Sequence, residues 1–275
     1  MKLISVPFCL LFLIAGIIAC APKESTEIRD DFKKYYDQYN VRGSFALYDE
    51  QAKKYTLYNK AQFTEPFSPA STFKICNSLI GLETGIIPDE NFVIPWDSIV
   101  RNPVWDQDHD LKTAFKNSTV WYYQELARRV GGQQMKYWID KARYGNKDTT
   151  GGLDKFWLYG GLRITPQQQI DFLQRLHDNK LPFSQRSMDI VKKIMVVKDT
   201  PDYVLRAKAG WGMRPNEDIG WYVGYLESNG KAYYFANCVQ ADSTYMSIRE
   251  NTVGFDHARA DIVNLVLHDL DLIKQ

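Results

Sequence analysis

The chain lacks an excess of charge of either sign and lacks the usual spacing of metal ligands. Lys and Arg number 34 against 33 Asp and Glu, so the formal net charge is +1. This balance, without a Lys or Arg run, argues against a surface for nucleic acid. The four histidines show neither His-x-His nor His-x-x-x-His spacing, which disfavours a catalytic metal. We therefore expect no nucleic-acid partner and no metal.

Two further absences narrow the class of protein. No Gly-x-Ser-x-Gly segment is present, which disfavours a Ser-His-Asp hydrolase built on a nucleophile elbow. Cysteine is scarce, with four in 275 residues. Cys76 and Cys238 lie in apolar segments and are typical of small buried side chains. A disulfide between them is an open alternative, because spacing alone cannot establish pairing.

Long apolar runs are missing outside the first twenty residues. Lys2 is followed by the apolar segment Leu10 to Ile18 and by Ala19-Cys20, which is the pattern of a signal peptide rather than a membrane span. Ile17-Ile18-Ala19-Cys20 is similar to the bacterial lipobox, in which the cysteine is modified with lipid. We expect export to the periplasm and membrane attachment through a lipid on Cys20. Ordinary cleavage, with Cys20 incidental, is the alternative.

The feature that points to chemistry is a serine and a lysine three residues apart, Ser71 and Lys74. A serine hydroxyl is a weak nucleophile at neutral pH and needs a neighbouring base. Residues three apart on a helix share one face, which would bring the amine to the hydroxyl. The pair therefore predicts covalent acyl transfer. The alternative is a helix start with a capping serine and an exposed lysine.

The same Ser-x-x-Lys pattern occurs a second time at Ser228 to Lys231. It lies between two apolar, aromatic-rich runs, and Asn229-Gly230 is typical of a two-residue hairpin turn. We expect this second pair to be a turn with a solvated lysine, without a catalytic role.

Periodicity predicts strands near both ends of the chain and helices between them. The expected fold class is α/β (α+β), with an antiparallel sheet of five to seven strands formed by both termini, flanking helices and an inserted helical subdomain. The predicted strands are 43–48, 54–58, 203–210, 220–227 and 231–240, and the main predicted helices are 122–130, 166–177 and 257–273.

Several further blocks follow the first serine and lysine in a fixed order. They are Ser118-Thr119-Val120, Tyr144-Gly145-Asn146, Phe156-Trp157-Leu158, Lys208-Ala209-Gly210-Trp211 and Trp221-Tyr222-Val223-Gly224. Together with Ser71-Thr72-Phe73-Lys74 they resemble the class D, or oxacillinase-type, serine β-lactamases over nearly the whole mature chain. The resemblance implies a β-lactamase/transpeptidase-like fold.

The N-terminal pattern predicts a lipoprotein-type signal peptide at residues 1–19 and a polar tether at 20–30. The resemblance implies that residues 31–275 form the catalytic domain, and it also implies the reaction. The substrate would be a small β-lactam of the penicillin type, hydrolysed through an acyl-enzyme on Ser71, which would confer resistance. The alternatives are a β-lactam sensor domain and a penicillin-binding transpeptidase, both of which acylate without rapid turnover.

In that family the lysine of the serine motif reacts with carbon dioxide to form a carbamate, and Lys74 matches it. The resulting carboxylysine would be the general base, and no other cofactor is implied. Lysine adds carbon dioxide only when unprotonated, and apolar burial lowers its pKa. By the same resemblance, Val120, Trp157 and Leu158 would stabilise the carbamate.

The remaining roles are also carried over from the family. Ser118 would shuttle a proton to the β-lactam nitrogen. Lys208 and Arg259 would bind the substrate carboxylate, with Arg249 as a rival for the second position. The backbone N–H groups of Ser71 and Trp211 would form the oxyanion hole.

The chain departs from the family pattern at two positions. Ala209 replaces the usual Thr or Ser, so a hydroxyl that binds the substrate carboxylate is missing. A charge-assisted hydrogen bond of that kind is worth about 1.5–3 kcal/mol. Tyr159 stands where an acidic residue is commoner. The sequence gives no indication of substrate range or oligomeric state.

Overall fold

The computed structural model describes residues 24–214, 217–242 and 249–274. The predicted signal peptide and Cys20 lie outside the described residues. The strands are β1 (Ser25–Ile28), β2 (Arg42–Asp49), β3 (Lys54–Tyr58), β4 (Val93–Ile94), β5 (His109–Asp110), β6 (Val196–Asp199), β7 (Tyr203–Arg214), β8 (Glu217–Ser228) and β9 (Lys231–Asp242). The helices are α1 (Lys33–Asp37), α2 (Lys74–Glu83), α3 (Leu111–Lys116), α4 (Val120–Val130), α5 (Gly132–Ala142), α6 (Pro166–His177), α7 (Gln185–Ile194) and α8 (Arg249–Asp269).

Seven strands form one sheet in the order β1-β3-β2-β9-β8-β7-β6. The N-terminal strand β2 pairs antiparallel with the C-terminal strand β9, so both ends of the chain build the centre of the sheet, as predicted. Strand β8 is buried from Asp218 to Leu226 because helices cover both faces of the sheet, which explains its nearly continuous apolar sequence.

The expectation of a purely antiparallel sheet is wrong at one edge. Strand β1 pairs in parallel with β3, so the sheet is mixed. The polar tether expected at 20–30 also overlaps this strand, since Ser25 to Ile28 belong to the sheet. The four residues are mostly exposed and carry no alternating apolar pattern, because an edge strand is held by main-chain hydrogen bonds rather than by buried side chains.

The helices form a layer on each face of the sheet. Helices α1 and α8 pack on one face through an apolar cluster that includes Phe32, Phe235 and Ile262. Helices α2 to α7 cover the other face in a second cluster that includes Phe73, Trp157 and Trp221. This second layer is the helical subdomain that the sequence predicts between the terminal strands, and the candidate site lies where it meets the sheet.

The predicted C-terminal helix is present with different bounds. Helix α8 spans Arg249–Asp269 instead of 257–273, and its stripe of Ile262, Val266 and Leu267 is buried. Helix α6 begins as expected, at a capping box formed by Thr165 and Gln168, with Pro166 in the first turn.

Two further observations concern export and cysteine chemistry. Among the residues that the structure describes, no helix has the length and apolar character needed to cross a bilayer. Cys76 and Cys238 are both buried as thiols. The alternative of a disulfide bond between them is therefore wrong.

Candidate active site

Ser71 and Lys74 lie at the start of the first long helix of the subdomain. Ser71 belongs to a 3₁₀ turn, Ala70–Phe73, that runs directly into α2 at Lys74, and this keeps the two side chains on one face. The Lys74 Nζ donates a hydrogen bond to the Ser71 Oγ at 2.6 Å. The lysine side chain is fully buried. The structure therefore contains the contact that the motif predicts, and the exposed-lysine alternative is excluded.

Ser118 completes a chain of three polar side chains. The Lys74 Nζ lies 3.2 Å from the Ser118 Oγ and 3.1 Å from its main-chain oxygen. The Lys208 Nζ donates to the same Ser118 Oγ at 3.1 Å. Ser118 has a φ of +53°, a left-handed conformation that is uncommon for serine and costs backbone strain. The hydroxyl thus lies between two lysine amines.

Both lysines have a lowered pKa. Burial holds the pKa of Lys74 well below its usual range, and the charge of Lys208 lowers it further. Burial, followed by the charge of Arg259, lowers the pKa of Lys208 to about 7. Burial thus favours the uncharged Lys74 amine, the form that can accept a proton or react as a nucleophile.

An aromatic cluster forms around Phe73, the residue before Lys74. The rings of Trp157 and Phe156 lie 5.4 and 5.2 Å from the ring of Phe73, and Leu158 is also buried. Val120 is partly buried and packs against the same cluster. The three residues predicted to stabilise a carbamate thus lie in the same apolar cluster as Phe73, the residue before Lys74.

Sequence reasoning missed one part of this pocket. The Lys74 Nζ lies 5.4 Å from the ring centroid of Tyr123, whose hydroxyl is 2.9 Å from the Ser78 Oγ. Helical spacing places Ser78 on the same face of α2 as Lys74. The position of Tyr123 depends on how α4 packs against α2, which no local sequence pattern indicates.

The Tyr-Gly-Asn block holds the loop that carries Trp157. A Cβ at Gly145, where φ is +51°, would overlap the carbonyl oxygen of Arg163. The Asn146 side chain donates to the Gly161 carbonyl at 2.9 Å and accepts from the Arg163 N–H at 3.0 Å. The block therefore closes the two ends of the loop onto each other.

Both that loop and the sheet form hydrogen bonds with the turn before Ser71. The Trp157 carbonyl accepts hydrogen bonds from the Ala70 N–H and the Ser68 hydroxyl, each at 3.0 Å. From the sheet, the Trp221 indole N–H donates to the Ser68 carbonyl at 2.9 Å. Gly210 in β7 lies against Thr72, where an added Cβ would sit 3.1 Å from a methyl group. These contacts place Trp211 beside the serine turn, in the region where an oxyanion hole is expected.

Arg259 lies on α8 behind the same strand. Its Nη1 donates to the Gly210 carbonyl at 3.0 Å, and its guanidinium lies 5.4 Å from the Trp211 ring. Burial lowers the pKa of Arg259 to about 10. Arg259 also forms an ion pair with Asp256. To bind a substrate carboxylate, its guanidinium would have to contact both carboxylates or release Asp256. The rival, Arg249, is the first residue of α8, and its side chain lies outside what is described.

The two departures from the family pattern have different surroundings. The Ala209 carbonyl accepts a hydrogen bond from the Lys208 Nζ at 3.0 Å, so the main chain partly anchors the lysine where a side-chain hydroxyl is missing. Tyr159 is 65% exposed and follows the buried Trp157-Leu158 pair. A cavity of about 630 Å³ adjoins Lys208 and Ala209, a volume within the range of about 300–1,000 Å³ that is usual for small-molecule sites.

The fold and this constellation define a serine acyl-transfer enzyme of the penicillin-binding type. Residues 32–255 match the family model for the penicillin-binding protein transpeptidase domain. The chain is 39% identical to β-lactamase OXA-48 of Klebsiella pneumoniae over 228 residues, which cover 82% of this chain and 86% of the relative.

Solved structures give the same result. The class D β-lactamase YbXI from Nostoc is similar with a TM-score of 0.82 and 44% identity, covering 88% of this chain and 99% of the other. The C-terminal domain of the Bacillus licheniformis BlaR penicillin-receptor is similar with a TM-score of 0.84 and 30% identity, covering 92% and 100%. The chain belongs to the class D β-lactamases, and it is a β-lactamase enzyme. The predicted family and fold are confirmed.

Proposed function

We propose that the protein hydrolyses penicillin-type β-lactams through an acyl-enzyme on Ser71, with Lys74 in carbamylated form as the general base. The observation that carries this proposal is the fully buried Lys74, whose amine touches both Ser71 and Ser118. An uncharged amine in an apolar pocket fits carbon dioxide addition, and Val120, Trp157 and Leu158 would hold the product. When formed, the carbamate supplies an oxygen base in place of a nitrogen base.

The residues of the site would then act in two stages. Ser71 Oγ attacks the lactam carbonyl and gives its proton to the Lys74 side chain, while the N–H groups of Ser71 and Trp211 stabilise the oxyanion. Ser118 passes this proton from Lys74 to the lactam nitrogen as the C–N bond breaks, which restores the base. Lys74 then takes a proton from the water that attacks the ester carbonyl, and it returns that proton to the Ser71 Oγ as the ester C–O bond breaks and the opened product leaves.

Lys208 and Arg259 would bind the substrate carboxylate, since both cationic groups lie around β7 beside the serine turn. The missing hydroxyl at Ala209 would weaken this contact by about 1.5–3 kcal/mol unless water replaces it. We also propose that the protein is exported to the periplasm, is anchored through a lipid on Cys20 and confers β-lactam resistance.

The test is steady-state hydrolysis of a penicillin in buffer freed of carbon dioxide, with and without added bicarbonate. Activity should fall in the freed buffer and return with bicarbonate, and labelled bicarbonate should give a carbamate carbon signal in NMR. The signal should be absent in Lys74→Ala and present in Lys231→Ala. Indifference to bicarbonate, with an active Lys74→Ala variant, would refute the mechanism.

A second function, a penicillin receptor that acylates stably, is favoured by the similarity to the BlaR domain. Mass spectrometry of the protein mixed with a penicillin separates the two. A receptor would hold the acyl adduct after one stoichiometric burst, whereas the proposed hydrolase would return to its unmodified mass as product accumulates.

A further inference from the structure

A second cluster of chemically active side chains lies at the other end of the sheet. Glu50 follows β2, and His177 and Asp178 stand at the end of α6. One ligand atom from each of the three lies within 4.8 Å of the others. The neighbouring Glu227 lies six residues along β8 from Trp221, whose indole binds the turn before Ser71. At the usual rise per residue, the cluster is therefore about 20 Å from that turn. We propose that Glu50, His177 and Asp178 bind one divalent transition-metal ion of the zinc class.

The donor set suits such an ion. One imidazole nitrogen with two carboxylates is a ligand combination that zinc accepts, at metal–ligand distances of about 2.0–2.2 Å. The His177 Nδ1 already lies 3.3 Å from the Asp178 Oδ1. The other Asp178 oxygen is held by Lys180 at 2.8 Å, which leaves Oδ1 to face the imidazole. Only small side-chain shifts would bring the three atoms to bonding distance.

The opposite nitrogen of His177 is oriented for this role. Its Nε2 lies 3.3 Å from the Glu227 Oε1, and Glu227 is itself paired with Arg206. When Nε2 carries the proton and donates it to Glu227, the lone pair of Nδ1 points at the cluster. A carboxylate behind a ligating histidine is the usual way in which proteins fix the metal-binding tautomer.

With the proton on Nε2, the groups around Nδ1 have too few hydrogens, and the other tautomer moves this shortage to Nε2 and Glu227. The Tyr234 hydroxyl lies 2.8 Å from His177 Nδ1 and 3.0 Å from the Glu50 Oε2, yet it has one proton to donate. In that tautomer Nδ1 and the Asp178 oxygen face each other as acceptors. A cation between them would satisfy these acceptors, and the competing occupant is a second proton on the imidazole.

Space is available for further ligands. A cavity of about 420 Å³ is lined by Glu50, His177, Glu227 and the hairpin residues Ser228 to Lys231. A further cavity of about 380 Å³ is lined by His177 and Tyr225, and the buried Tyr225 hydroxyl has no hydrogen-bond partner within the described residues. Water can therefore complete the coordination of a bound ion.

The test is calorimetric titration of the chelator-treated full-length protein with Zn²⁺ alone. We expect one saturable site per chain of micromolar affinity or tighter, and a Zn²⁺-dependent rise in the melting temperature. His177→Gln and Glu50→Gln should each weaken binding by at least about tenfold. His268→Gln removes a partly exposed imidazole from α8 and should bind as the unaltered protein does.

Cobalt supplies a readout that is independent of the variants. Co²⁺ added to the unaltered protein should give visible absorption bands that Zn²⁺ displaces with a one-to-one endpoint. The proposal is overturned if no saturable binding is found, or if a correctly folded His177→Gln binds as tightly as the unaltered protein. It is equally overturned if the His177 ring signals in NMR respond to pH and not to Zn²⁺, which would show a proton as the sole occupant.

Discussion

The chain contains two Ser-x-x-Lys segments, and their surroundings differ in almost every physical respect. The first pair begins a buried helix, and its lysine amine touches the serine oxygen at 2.6 Å. The second pair flanks a hairpin turn in which Ser228 is paired across the strands with Lys231. There Asn229 and Gly230 have φ values of +52° and +72°, as a two-residue turn of type I′ requires.

The difference lies in what surrounds the lysine. Lys74 is fully buried and has a strongly lowered pKa, whereas Lys231 is exposed at the start of strand β9. Four letters of sequence therefore carry little information on reactivity. The apolar blocks contributed by distant segments decide whether the amine is a base or an ordinary surface cation. The second pair also serves as a matched control for the first.

The largest expected effect is on turnover. Ser71→Ala should reduce the kcat for penicillin hydrolysis by about 10⁴–10⁶-fold, because the nucleophile is lost, and mass spectrometry should detect no acyl adduct. Ser228→Ala should have unaltered kinetics. Comparable losses in both variants would show that the two segments are not functionally different.

The next effect concerns the base. Lys74→Met should lower kcat by about 10²–10⁴-fold, the usual contribution of a general base, while Lys231→Met should leave it unchanged. Single-turnover kinetics should show slow acylation as well as slow deacylation in Lys74→Met. Normal acylation with only slow deacylation would mean that another group activates Ser71.

Lys74→Met and Lys231→Met should also differ in their free energies of unfolding. Lys74→Met should raise the free energy of unfolding by about 1–3 kcal/mol at pH 7, because a buried polar group is replaced by an apolar one of similar size. Lys231→Met should change it by less than about 0.5 kcal/mol. Urea denaturation measures both.

The sign of the pH dependence follows from the lowered pKa. In the unfolded chain, Lys74 keeps its proton up to a pH near the ordinary lysine pKa of 10.5. In the folded protein, the lowered pKa means that Lys74 releases this proton at a lower pH. Stability contributed by this site therefore rises with pH between the two pKa values. The advantage of Lys74→Met should shrink towards pH 10, and an advantage that grows with pH would contradict the burial of the amine.

The last effect concerns Lys208, whose pKa of about 7 makes it mainly a cation below that pH. If it binds the substrate carboxylate, kcat/KM should fall by up to about tenfold per pH unit above pH 7. Lys208→Arg keeps its charge at all these values and should flatten the profile on that side. An unaltered protein with no decline up to pH 9 would show that the cation is not needed for binding.

Local patterns predicted most of the fold but not its edge. The hairpins and helix α6 follow from alternation, helical spacing and an Asn-Gly turn, which are properties of neighbouring residues. Strand β1 has no such pattern, because its pairing partner, β3, lies more than twenty residues away and supplies the hydrogen bonds. The bounds of α8 were predicted from its apolar stripe, and the first residues of the helix precede that stripe.

The candidate site divides in the same way. The contact between Ser71 and Lys74 is local and could be predicted, and the family resemblance located Ser118, Trp157 and Lys208. The position of Tyr123 against Lys74 depends on how two helices pack, which spacing within each helix does not determine. Likewise, Glu50 and His177 are brought together by the packing of α6 against the sheet. The spacing of histidines along the chain could therefore not reveal the proposed metal site.

The two buried cysteines allow the opening of the core to be timed. Cys76 lies one turn beyond Ser71 in α2, and Cys238 lies opposite Trp221 in the middle of the sheet. Burial raises the pKa of the Cys76 thiol, so a thiol reagent can reach it as a reactive thiolate only when the surrounding structure opens. The rate of labelling at each cysteine therefore reports how often the subdomain and the sheet open. Slower labelling of Cys76 after acylation would measure how far a bound drug rigidifies the helix that follows the nucleophile.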